Sequence, residues 1–137
     1  MRKAKKNKGK QPIAKEVKHI NEIIISPNNR ITYVYKESQK KQIIEVTCVS
    51  LEIKIENKWV TIIYYDSHHG GKLHRHTKIV FNDEADITDY ANVKSKGSPA
   101  SLLKWAIHDI KHNFIPYKRK FLKRNHTLLN IVEIDEY

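Results

Sequence analysis

Apolar and polar positions alternate with a period of two over most of the first 80 residues, and that alternation predicts β-strands. Residues 20–25 read as a first strand. Ser26-Pro27-Asn28-Asn29 supplies turn chemistry, and Ile31, Tyr33 and Tyr35 then share one face of a second strand, so the two form a hairpin. Along residues 42–56 the apolar set is first Ile44, Val46 and Cys48, then Val49, Leu51, Ile53 and Ile55. A change of phase within one strand predicts a bulge or bend near residues 48–49. Asn57-Lys58 turns the chain into residues 59–66, where Trp59, Ile63 and Tyr65 fall on one face and Val60, Ile62 and Tyr64 on the other. Apolar side chains on both faces mark a central strand. A fifth strand is expected over residues 74–81.

The period then changes. Residues 82–98 are rich in Asp, Asn, Ser and Gly and read as a long loop. Ser98-Pro99 is a helix start, with Ser as the cap and Pro at the first position. Leu103, Ala106, Ile107, Ile110 and Phe114 follow as one buried helical stripe. Pro116 is expected to kink or end the helix, with residues 117–124 as a basic extension. The expected fold is α+β: an antiparallel β-meander of about five strands with one C-terminal helix packed on a face. A single domain spans residues 16–126, between a disordered basic arm (1–15) and an acidic tail or short edge strand (127–137).

Charge changes the picture more than composition does. The 137 residues carry 26 Lys plus Arg against 15 Asp plus Glu, a formal charge of +11. Residues 1–15 hold seven basic residues and no acid, and residues 100–126 hold seven basic residues against Asp109 alone. The middle is nearly neutral. Segregated positive charge fits a polyanion partner, because each phosphate neutralised releases condensed counterion. Nucleic acid is therefore the expected partner, RNA before DNA. Lys72, Arg75, Lys118, Arg119, Lys120, Lys123 and Arg124 are the candidate phosphate contacts. No apolar run is long enough for a membrane span, and the Lys-rich start leads into no hydrophobic signal segment, so a cytoplasmic protein is expected. The single cysteine, Cys48, excludes an intrachain disulfide framework and a Cys-rich zinc site, and reads as a small buried residue.

The chemistry concentrates between residues 65 and 76. Four of the eight histidines, His68, His69, His74 and His76, lie there with Asp66 and the Gly70-Gly71 pair. A glycine reversal brings the end of one strand back beside the start of the next, and His74 and His76 share a face as any i, i+2 pair on a strand does. Asp66, His69, His74 and His76 thus converge, and three readings fit. In an acid–base site one imidazole activates a 2′-hydroxyl of RNA while another protonates the leaving oxygen, with no metal. In a metal site His-x-His and Asp supply three ligands. In a structural cluster the rings cap strands and bond loop backbone. On the helix, Asp109 and Asn113 stand at i, i+4 beside the buried stripe, and His112 recurs with His108 on another side. These are possible partners of the cluster. Trp59 and Trp105 read as core anchors. No phosphate-loop, dinucleotide or HExxH pattern occurs, and no cofactor is expected.

Trp59, Tyr65-Asp66, His69-Gly70, His74-Arg75-His76 and a helix with Ala106, Asp109-Ile110, Asn113 and Tyr117 resemble, in that order, a small uncharacterised prokaryotic domain family; Tyr64 stands where its pattern has Arg. Through the Asp and paired His the chain is distantly similar to small RNase-like toxins of toxin–antitoxin pairs. The basic ends and the His cluster between them lead to the expectation of an RNA-binding protein with metal-independent, toxin-like ribonuclease activity by His/Asp acid–base catalysis. The alternatives are a non-catalytic nucleic-acid-binding accessory protein with structural histidines, and a protein–protein adaptor of such a pair that uses an exposed apolar sheet edge.

Overall fold

The alternating segments become strands that each pair with the next in the chain. In the computed structural model, which describes residues 16–67 and 71–129, they are β1 (Val17–Ser26), β2 (Asn29–Glu37), β3 (Ile43–Ile55), β4 (Lys58–Asp66), β5 (His74–Lys78) and β6 (Asp86–Asp89). They form one antiparallel sheet in the order β1-β2-β3-β4-β5-β6. The fold is the expected α+β meander, with one strand more than the five counted from periodicity. β6 lies inside the segment read as loop, where four residues are too few and too acidic to show a period. It is held by pairing to β5 and by a 3.0 Å ion pair between Arg75 and Asp89. The basic arm (1–15), His68, His69, Gly70 and residues 130–137 lie outside the described residues.

Register shifts decide which side chains face which way. Val34 pairs with Cys48 and Tyr35 with Val46, so Thr47 is the extra residue that produces the change of phase in β3. A second shift was not expected: Leu51 pairs with Ile63 but Glu52 with Thr61, leaving Ile62 extra in β4. Trp59 and Tyr65 therefore fall on opposite faces rather than sharing one. Glu56 and Asn57 both take positive φ (52° and 66°), so the tight turn sits one residue earlier than the expected Asn57-Lys58.

Helix α1 (Pro99–Arg124) crosses the face that carries Ile31, Val49, Leu51, Ile53, Ile63 and Tyr65. Its N-terminus is capped as expected, with the Ser98 hydroxyl accepting from the Ser101 amide at 3.2 Å. Leu102, Leu103, Ala106, Ile110, Phe121 and Leu122 are buried, while Ile107 and Phe114 are half-buried at the stripe's margin. Pro116 neither ends nor interrupts the helix. Its missing amide leaves the carbonyl of His112 without a helical donor at a point where both residues are exposed, so the break is not a buried one. At the C-terminus the buried Asn125 side chain donates to the carbonyls of Phe121 (2.8 Å) and Ile79 (3.0 Å) and accepts from the Phe81 amide (2.9 Å). This one amide ties the helix end to the chain leaving β5. A short α2 (His126–Leu129) follows, where a strand or loose tail was expected.

Candidate functional site: two polar clusters back to back

The pairing of β4 with β5 sets Tyr64 opposite His76, Tyr65 opposite Arg75 and Asp66 opposite His74. Side chains alternate across a sheet, so the twelve-residue segment divides between two faces. Tyr64, Asp66, His74 and His76 lie on the face away from α1. Tyr65 and Arg75 lie beneath it.

On the bare face the Asp66 carboxylate stands between two imidazoles, with Oδ1 2.8 Å from His74 Nε2 and Oδ2 3.1 Å from His76 Nε2. All three side chains are mostly buried. His74 Nδ1 lies 3.1 Å from the Lys72 carbonyl. His76 Nδ1 lies 3.0 Å from the Thr88 hydroxyl and 3.4 Å from Asp86 Oδ1. The Tyr64 ring stacks on His76 with centroids 4.3 Å apart. Burial, with Asp86 and Asp66 nearby, raises the Tyr64 phenol above its usual range. Burial also pushes the Cys48 thiol up, against a hydrogen bond with Ser50 and helped by the Asp66 carboxylate, which disfavours the thiolate. It is half-buried beside this cluster rather than in the core.

Beneath the helix, Asp109 Oδ2 accepts from the hydroxyls of Tyr65 (2.5 Å) and Tyr117 (2.6 Å), and Oδ1 accepts from the Asn113 amide (2.9 Å). Arg75 donates to the Tyr65 hydroxyl (3.2 Å), to Asp89 (3.0 Å) and to the Ala91 carbonyl (2.8 Å). Burial and the Asp109 hydrogen bond push both phenols above their usual range. Trp105 packs edge-on to Tyr65 at 5.4 Å. This network borders a cleft of about 450 Å³, lined among others by Lys120 and Arg124.

Of the residues singled out in the sequence, the structure thus brings together Asp66, His74 and His76. His69 lies outside the described residues. Asp109 and Asn113 are joined to each other but lie across the sheet from the histidines, and His112 is exposed beside His108, ring centroids 4.0 Å apart. Arg75 faces the helix and its guanidinium is occupied, so it is not positioned to steady charge at the His cluster. Lys118 is 4% exposed and turned inward, so it does not belong with the surface cations; Lys72, Arg119, Lys120, Lys123 and Arg124 are exposed. Trp59 is not a core anchor, because it lies on the bare face under Arg30 (4.2 Å) and Lys54 (5.0 Å). Sequence reasoning missed Thr88 and Asp86 behind His76, for want of β6. Tyr65 and Tyr117 were visible only as members of the resemblance pattern.

One domain-family model matches residues 14–127, which encloses both clusters. The chain belongs to that family, the domain of unknown function DUF7718. No curated protein and no solved structure matches the chain. An uncharacterised small domain family was expected, and the match is to one of that kind.

Proposed function

We propose that this DUF7718 domain binds RNA as a non-catalytic accessory protein, through the outer side of α1's C-terminal half. The observation that carries this reading is a stripe of cations. Arg119, Lys120, Lys123 and Arg124 are all exposed, they recur at helical i, i+4 spacing, and no acid lies between residues 110 and 127. Such a stripe meets phosphates and reads no base edges. The basic arm of residues 1–15 adds seven charges of the same sign. Among the described residues no helix is long and apolar enough to cross a membrane. A role on RNA would place the protein in the cytoplasm.

The non-catalytic form is favoured because the sheet stands between these cations and Asp66, His74 and His76. A toxin-like, metal-independent ribonuclease is the second reading. Its support is the carboxylate set between two imidazoles, an arrangement suited to paired acid and base. Binding of a labelled single-stranded RNA, followed by anisotropy across a salt series, tests the first. The expected slope of log affinity against log salt is about −3, from four phosphates at about −0.7 each. A Lys120→Glu/Lys123→Glu/Arg124→Glu variant should lose this binding, and His76→Ala should keep it. Absence of binding at low salt refutes the proposal. RNA cleavage in EDTA that disappears in His76→Ala would instead establish the ribonuclease.

A further inference from the structure

We propose that Asp66, His74 and His76 form a binding site for one divalent transition-metal ion of the Zn²⁺ class. The inference is independent of RNA binding and rests on the convergence of three ligand atoms around a buried carboxylate oxygen. A carbonyl oxygen only accepts, so the contact of His74 Nδ1 with the Lys72 carbonyl places a proton on Nδ1. His76 Nδ1 lies between the Thr88 hydroxyl (3.0 Å) and Asp86 Oδ1 (3.4 Å), an acceptor pair that holds the ring proton on Nδ1 when a metal takes Nε2. The neutral His74 ring then aims its Nε2 lone pair at Asp66, and His76 Nε2 meets the other carboxylate oxygen at 3.1 Å. Two imidazole nitrogens and a carboxylate oxygen thus converge, their atoms all within 4.8 Å of one another.

A second observation points the same way. Asp66 Oδ1 is buried and accepts no hydrogen bond, although His74 Nε2 is only 2.8 Å away. A buried carboxylate oxygen without a donor is costly. Protonating both rings would supply donors, but it would set two cations side by side, their centroids 4.8 Å apart. One divalent ion satisfies all three groups at once. Ligand atoms around a tetrahedral zinc with bonds of about 2.0–2.1 Å lie roughly 3.3 Å apart, so modest side-chain rotations close the site. The outer contacts complete the pattern: a ligating His gives its other N–H to a carbonyl or carboxylate, which fixes its tautomer and orientation. Two imidazoles and a carboxylate suit zinc, iron(II), nickel or cobalt better than calcium or magnesium. Three protein ligands leave a tetrahedral ion one open position, and the face on which it opens carries no helix.

Calorimetric titration of chelator-stripped full chain with Zn²⁺, and with Co²⁺ followed by its visible absorption, tests the site. One equivalent should bind. Asp66→Asn, which keeps the side chain's shape, and His76→Ala should each weaken binding at least ~10-fold, and Thr88→Ala should weaken it while leaving every ligand atom in place. Circular dichroism checks that each variant is folded, and Asp66→Asn carries the test if His76→Ala is not. A His108→Ala/His112→Ala variant should bind as the parent does, since that exposed i, i+4 pair is the other place where two imidazoles meet among the described residues. The inference is overturned if the parent binds no stoichiometric metal, if folded Asp66→Asn binds as well as the parent, or if binding is lost with His108 and His112.

Discussion

Two adjacent residues of β4 end in opposite circumstances. Tyr65 lies under α1, fully buried, in a network where every hydroxyl and amide proton meets an oxygen: Tyr65, Tyr117 and Asn113 all donate to Asp109. Asp66, one residue on, lies on the bare face between two ring nitrogens, with its buried Oδ1 accepting no hydrogen bond. The first cluster is complete in itself, as a network that fixes a helix on a sheet has to be. The second is short of positive charge. Completeness marks an internal joint, and a deficit marks a place for a ligand.

The contrast predicts unequal costs when each carboxylate is removed. Asp109→Ala leaves the buried Tyr65 and half-buried Tyr117 hydroxyls without their carboxylate, while the Asn113 amide keeps the Asp109 carbonyl at 3.1 Å. It should cost about 3 kcal/mol in urea unfolding, the scale of one strongly penalised unsatisfied group. A loss under about 1 kcal/mol would mean that the covered network does not hold the helix.

Alkaline pH sharpens the same point through Tyr117. Its phenol is raised above the ordinary value near 10 by burial and by Asp109, so the fold favours its neutral form. The sign follows from proton counts. Below pH ~10 the phenol is protonated in both states and its contribution is fully present. As pH climbs toward the raised value the unfolded chain releases a proton that the fold retains, and stability is lost. The slope from this group is about 1.4 kcal/mol per pH unit, and it should vanish in Tyr117→Phe.

The smallest effect is expected on the bare face. In chelator-treated protein Asp66→Asn should change unfolding free energy by less than about 1 kcal/mol, because Oδ1 accepts no hydrogen bond to lose and the amide keeps a polar partner for His76 Nε2. The same substitution should remove the stabilisation that added Zn²⁺ gives the parent, seen as loss of the Tm rise. A destabilisation equal to that of Asp109→Ala would erase the distinction between the two clusters.

Much of this was legible before any coordinates. Strand alternation, the Ser98-Pro99 helix start, the bulge in β3 and the convergence of Asp66 with His74 and His76 all depend on neighbours within a few positions, or on one short reversal. β6 escaped notice because Asp86-Ile87-Thr88-Asp89 has no apolar period of its own and becomes a strand only by pairing with β5. Lys118 escaped for a similar reason: its place in a basic run says nothing of the inward turn that the helix imposes on it.

By itself, then, the sequence determined the α+β meander, the helix and its cap, and the small set of carboxylate and imidazole groups able to do chemistry, since periods of two and 3.6 are local geometry. Only the tertiary structure decided which face each group occupies. That assignment hangs on the extra residue at Ile62 and on the face that α1 covers, and both are outcomes of long-range pairing with no local signature. Alternation along β5 sets Arg75 on the face opposite His74 and His76, and the covering of that face by α1 places Asp109 with Arg75 rather than with the histidines.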